Sequence, residues 1–170
     1  MTEEDLSAVP LCRGMTPDEC RQVLQIAQRV EVSPNEQIMT QGQLKNNLWI
    51  VLSGRCKVVR RTERGCNLQL AELGPNTQFG EMSFFHPSPH SADVIAQTDM
   101  ELLCIAREDY DRQFSAGNPV ALKLTLNCVE QLAERLRSMD AWITELVCNE
   151  NHQPHVPEWT SFRELIFRGE

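Results

Sequence analysis

Phe79-Gly80-Glu81-Met82-Ser83-Phe84-Phe85-His86-Pro87-Ser88-Pro89-His90-Ser91-Ala92 is the stretch whose reading decides the fold. Gly80 has no Cβ and lets the backbone come close to another group. Glu81–Phe85 fits one short helix. The first N–H groups of a helix have no partner inside it and point at an anion ahead of them. Pro87 and Pro89 then carry the chain through a loop. A strand is expected over Ser91–Ala96, and a turn at Gln97-Thr98-Asp99 joins it to another at Met100–Ile105.

Upstream, the same two-residue period repeats between turn residues. Asn67–Leu73 alternates Leu68 and Leu70 with polar positions and stops at Gly74-Pro75-Asn76. Arg55–Thr62 carries Cys56, Val58 and Val59 and turns at Glu63-Arg64-Gly65. Asn47–Leu52 ends at Ser53-Gly54, Gln37–Thr40 precedes it, and Arg29–Val32 is closed by Ser33-Pro34-Asn35. About eight such strands predict a mainly β fold with flanking helices, built as a sandwich, jelly roll or barrel. Before them, Thr16-Pro17-Asp18-Glu19 is a helix start. Thr16 caps, Pro17 fits the first helical position, and Glu19 completes a capping box. Val23, Leu24 and Ala27 give that helix an apolar face to about Arg29.

After the strands, Arg107–Phe114 reads as a helix. A long periodic stretch follows Asn118-Pro119. Val129, Leu132, Leu136, Met139, Ile143 and Leu146 recur in steps of three and four, a heptad seam with Thr125 as its polar upstream member. A core-facing helix of a monomer has the same period. Here the helix is the last long one, and little chain remains to cover its stripe, so a homodimer is expected. The predicted organisation is a β domain over residues 1–116, a long dimerisation helix over 117–148 and a tail over 149–170. The tail holds Trp159, Phe162, Leu165, Ile166 and Phe167 and reads as irregular, ending in a short amphipathic element.

Composition excludes several classes. The chain has 170 residues, 41% of them hydrophobic and 24% charged, with a formal net charge of -8. That balance disfavours non-specific contact with nucleic acid or anionic membrane. The apolar runs are far shorter than the ~20 residues of a bilayer span. The acidic start, Met1-Thr2-Glu3-Glu4-Asp5, is unlike a secretory leader, and a cytoplasmic location is expected. The seven cysteines are odd in number and none are spaced as CxxC, so reduced thiols are expected rather than a disulfide framework or zinc ribbon. His86 with His90, and His152 with His155, lack a distinctive metal-ligand spacing. No P-loop, nucleophile elbow or HExxH is present. Neither catalysis nor a resident cofactor or metal is expected.

Taken in order, the motifs resemble the cyclic-nucleotide-binding domains of catabolite-activator-type regulators and protein kinase A regulatory subunits. They are Pro10-Leu11, the capped helix, Pro34-Asn35-Glu36, Gln41-Gly42, Leu48-Trp49-Ile50-Val51 with Ser53-Gly54, Leu73-Gly74-Pro75 and the segment from Phe79 to Ala92. The family often has Gly where Asn35 and Asn76 stand; Asn best replaces it at positive φ. The resemblance implies that Gly80 admits the ligand and that Glu81 accepts from the ribose 2′-hydroxyl. Backbone N–H groups near Met82, Ser83, Ser91 and Ala92 would hold the cyclic phosphate. Relatives that bind cyclic nucleotide usually carry Arg where His90 stands. Losing that charge-assisted bond costs about 1.5–3 kcal/mol, roughly 10- to 150-fold in affinity. Two functions follow. One is a stand-alone regulatory domain that senses cAMP or cGMP with reduced affinity and signals to an effector protein through the C-terminal helix. The other is a degenerate, ligand-free interaction module, with His90 a surface loop residue. The expected chain has no helix-turn-helix of its own and contacts neither nucleic acid nor membrane.

Overall fold

The computed structural model describes residues 6–62 and 65–149. After a 3-10 turn at Pro10–Cys12 come α1 (Pro17–Ile26), β1 (Ala27–Val32), β2 (Gln37–Met39), β3 (Asn47–Ser53), β4 (Cys56–Arg61) and β5 (Asn67–Leu73). Then follow β6 (Gln78–Phe79), α2 (Glu81–Phe85), β7 (Asp93–Ala96), β8 (Met100–Ala106), α3 (Arg107–Ser115) and α4 (Pro119–Asn149). The eight strands form two antiparallel sheets in the orders β1-β8-β3-β6 and β2-β7-β4-β5. This is the eight-stranded jelly roll that the motifs imply.

Strand composition explains the layers. Val51, Met100 and Leu102 turn into the space between the sheets with Val32, Cys56, Phe79, Val94 and Ala96. Leu48, Ile50, Leu103 and Ile105 turn the other way and pack against Val23, Tyr110, Val120, Ala121, Leu124 and Cys128 from the helices. Strands β3 and β8 are thus buried on both faces, which is why their sequences read as continuous apolar runs.

Local signals hold at several turns. Asn35 and Asn76 have φ of 68° and 65°, the left-handed region expected of Asn standing for Gly. The capping box forms: Glu19 N–H donates to Thr16 Oγ1 at 3.3 Å, and Thr16 N–H to Glu19 Oε2 at 2.8 Å. Lys123 of α4 reaches the same carboxylate at 2.7 Å. That bond is the main reason the Glu19 pKa lies below its ordinary value.

Two expectations are corrected, and one strand had no expectation. The first helix ends at Ile26, not near Arg29, because Ala27–Val32 pairs along its whole length with Ile105–Met100 of β8. The strand expected from Ser91 begins at Asp93. The pair Gln78–Phe79, whose residues meet Ile50 and Trp49, is a strand too short to show a period.

The chain divides into two compact units, residues 1–129 and 130–170. In the first, Thr125 is half-buried. Its hydroxyl donates to Ala121 O at 2.9 Å, so it accepts from Tyr110 O–H at 2.5 Å. The apolar residues open to solvent at this level are Leu122, Leu126 and Val129, each more than half exposed. In the second unit Leu136, Met139 and Trp142 are likewise exposed, while Leu132 and Ile143 are half-buried. The side chain of Leu146 and residues 150–170 of the predicted tail lie outside the described residues, while Asn149 is the last residue of α4. Among the six cysteines whose side chains are described, Cys12, Cys20, Cys56 and Cys128 are buried, Cys104 is half-buried, and Cys66, in the β4–β5 connection, is exposed. No described helix is long and apolar enough to cross a membrane.

Candidate functional site

The segment from Gly80 to Ala92 links β6 to β7, with α2 at its start. Gly80 caps α2 with φ 90° and ψ -4°. A Cβ there would lie 2.4 Å from Asn47 O and 3.3 Å from Trp49 Cδ1, so conformation and space both demand glycine. Glu81 follows it and is buried, as are Ser83 and Phe84; Met82 is exposed. At the far end Ser91 is exposed and Ala92 buried. Every predicted ligand residue therefore lies in this one segment.

His90 is not the surface loop residue of the second expectation: it is only 5% exposed. Its backbone is clamped, N–H donating to Gln43 O at 3.0 Å and O accepting from Gly42 N–H at 2.9 Å. Its Nδ1 meets Ser83 Oγ at 2.9 Å, and that hydroxyl also lies 3.2 Å from Gly80 O. The imidazole thus ties the two ends of the segment together. Burial, and then the charge of Lys45, hold the His90 pKa below its ordinary value. At neutral pH the ring is uncharged, where a family arginine would carry a permanent cation.

Asp93, which no sequence signal singled out, organises the next layer. This buried carboxylate accepts from Gln37 Nε2 and Gln41 N–H, both at 2.8 Å. It also pairs with Arg61 Nε at 3.0 Å. Gln41 in turn accepts from Arg61 N–H at 2.7 Å and donates to Arg61 O at 3.1 Å. Gln41-Gly42, visible in the sequence only as a marker, therefore docks the β2–β3 loop on both Asp93 and His90. The partners of Asp93 come from 32 to 56 positions upstream, a spacing that no local motif reveals.

On its other side the segment meets α3. Phe84 and Phe85 pack edge-on to Tyr110, with ring centroids 5.3 and 5.6 Å apart. Arg107 lies over the Phe84 and Tyr110 rings and donates to Phe84 O. Through Tyr110 and Thr125, α2 is in packed contact with the first turns of α4.

A polar groove of about 490 Å³ lined by Gln25–Gln28, Asp109, Arg112 and Gln113 contains none of the predicted residues. Among the described residues no group of three or more His, Cys, Asp or Glu gathers to hold a metal ion.

Comparisons agree with this geometry. The family model described as "Cyclic nucleotide-binding domain" matches residues 29–116. The Cyclic AMP receptor protein of Thermus thermophilus is 37% identical over 131 residues, covering 77% of this chain and 59% of that protein. The crystal structure of the Thermus thermophilus Catabolite Activator Protein superposes with a TM-score of 0.73 at 35% identity, covering 81% of this chain and 62% of that one. A cyclic nucleotide-binding domain from Methylobacillus flagellatus, 19% identical, superposes with a TM-score of 0.75 over 88% of this chain and 84% of that one, a likeness of fold alone. The chain spans about three-fifths of the length of the curated relatives it matches first.

Proposed function

Because the chain belongs to the cyclic nucleotide-binding domain family, we propose that it is a regulatory, non-catalytic module that binds cAMP or cGMP between Gly80 and Ala92. The observation that carries this reading is the left-handed Gly80 wedged against Asn47 O, followed at once by the buried Glu81. Glu81 would accept from the ribose 2′-hydroxyl, and the N–H groups near Met82, Ser83, Ser91 and Ala92 would hold the phosphate. A sandwich interior of low dielectric makes such bonds count.

Output would travel along the chain of contacts from Phe84 and Phe85 to Tyr110, Thr125 and α4. Ligand that repositions α2 favours one arrangement of that chain, and only differential affinity for the two arrangements shifts their populations. The seam of Val129, Leu132, Leu136, Met139, Ile143 and Leu146 would join two copies of the chain, and an effector protein would read the change. The net charge of -8 argues for a protein effector over duplex DNA; a salt-sensitive, sequence-selective shift of duplex DNA would overturn that part. The expected setting is the cytoplasm.

The buried bond between His90 and Ser83 favours a second reading, an interaction module whose segment is closed by its own side chains. Titration calorimetry against cyclic mono- and dinucleotides separates the two. Saturable heat with cAMP or cGMP supports the first. Silence with the wild type and with His90→Arg at millimolar nucleotide establishes the second.

A further inference from the structure

The β2–β3 loop runs along the ligand segment from one end to the other. Gly42 and Gln43 are bonded to the backbone of His90 at 2.9 and 3.0 Å. At the opposite end Asn47 O stands against Gly80, close enough to exclude a Cβ. Asn46 O accepts from Arg107 N–H at 3.1 Å. Lys45 therefore stands on backbone fixed on both sides, between the two ends of the segment.

Its side chain is in a different condition from its backbone. Lys45 is exposed and makes no hydrogen bond or ion pair with any described residue. Most other basic side chains near the segment are engaged: Arg61 with Asp93, and Arg107 with Asp111 and Phe84 O. The Lys45 ammonium is near enough to His90 to oppose a second positive charge there. A lysine is a compact charge on a flexible four-carbon stem, suited to reaching an anion that arrives beside it.

We propose that Lys45 supplies the fixed positive charge for the cyclic phosphate that His90 cannot provide, reaching over the ligand segment from the β2–β3 loop. This rests on the cyclic-nucleotide reading and names the residue on which its affinity depends. The cation is moved from the segment itself to the loop docked on it.

The test is calorimetric titration of the full chain with cAMP and with cGMP at neutral pH and low salt. Lys45→Gln should weaken binding by about tenfold or more, the loss expected for one charge-assisted bond. Lys45→Arg should restore most of the affinity. Lys57→Gln on β4, which removes the same charge elsewhere, should leave it unchanged. Thermal midpoints of the Lys45 variants should match the wild type, since Lys45 bonds to no described residue in the ligand-free fold. Wild-type binding with Lys45→Gln indistinguishable from it would overturn the inference and leave the cyclic-nucleotide reading standing. No binding by wild type or His90→Arg would remove both.

Discussion

Cyclic nucleotide should bind more tightly as pH falls, because a protonated His90 adds a charge-assisted donor to the charge of Lys45. Without ligand, burial and then Lys45 hold its pKa below the ordinary 6.5. A bound phosphate opposes both effects and raises the pKa in the complex. Protons and ligand therefore promote each other. The charge-assisted bond gained is worth about 1.5–3 kcal/mol. Affinity should then grow by about ten- to a hundredfold between the neutral and protonated plateaus. The groups that meet or are felt by the ring are the Ser83 hydroxyl and the Lys45 ammonium. Calorimetry from about pH 8 to about pH 5.5, in two buffers of different ionisation heat, would count the proton taken up. The substitution His90→Arg should flatten the profile and tighten binding by about one to two orders of magnitude. Measurable binding with an affinity that is flat in pH, or that strengthens toward alkaline pH, would refute the assignment. The ligand-free fold should behave in the matching way. Its lowered His90 pKa means that the unfolded chain takes the proton first, so stability declines as pH falls from about 6.5 toward the folded value.

Three further outcomes follow from the structure. Gly80→Ala should lower unfolding free energy by about 1–3 kcal/mol, from positive-φ strain and the collision with Asn47 O; urea melts that leave stability unchanged would contradict the geometry. Asp93→Ala should cost about 1–3 kcal/mol in the same assay, since it leaves the Gln37 and Gln41 donors without their acceptor, and a near-neutral effect would mean the cluster is dispensable. Leu136→Glu should convert dimer to monomer in sedimentation, and a wild type already monomeric at tens of micromolar (roughly, as protomer concentration sets this equilibrium) would dispose of the seam.

The parts of the fold that could be read were those whose cause is local. Thr16 and Glu19 cap their helix because the two bonds span three residues. Asn35 and Asn76 mark turns because few other side chains tolerate positive φ. The strands with a two-residue period were placed to within a few positions. What escaped depends on partners far along the chain. Nothing in Ala27-Gln28-Arg29 stops a helix; pairing with β8 ends it. Asp93 is one polar residue among many until Gln37, Gln41 and Arg61 converge on it. His90, between prolines and a serine, reads as a loop residue, and it is buried because Ser83 and the β2–β3 loop close over it. Thr125 fits a seam by spacing, yet Tyr110 claims it.

The distribution of thiols makes the protein selectively addressable by labelling reagents. Maleimides and haloacetamides react with thiolate, so a thiol whose pKa is pushed up is inert near neutral pH. Burial raises Cys12 to about 12 and Cys56 and Cys104 to about 11, and Cys20 and Cys128 are shielded within the core. Among the six cysteines whose side chains are described, Cys66 alone is exposed. A fluorophore supplied at limiting concentration should therefore settle on the β4–β5 connection before it reaches the other described thiols, placing a reporter on the sheet that carries Asp93 without introducing a new cysteine there.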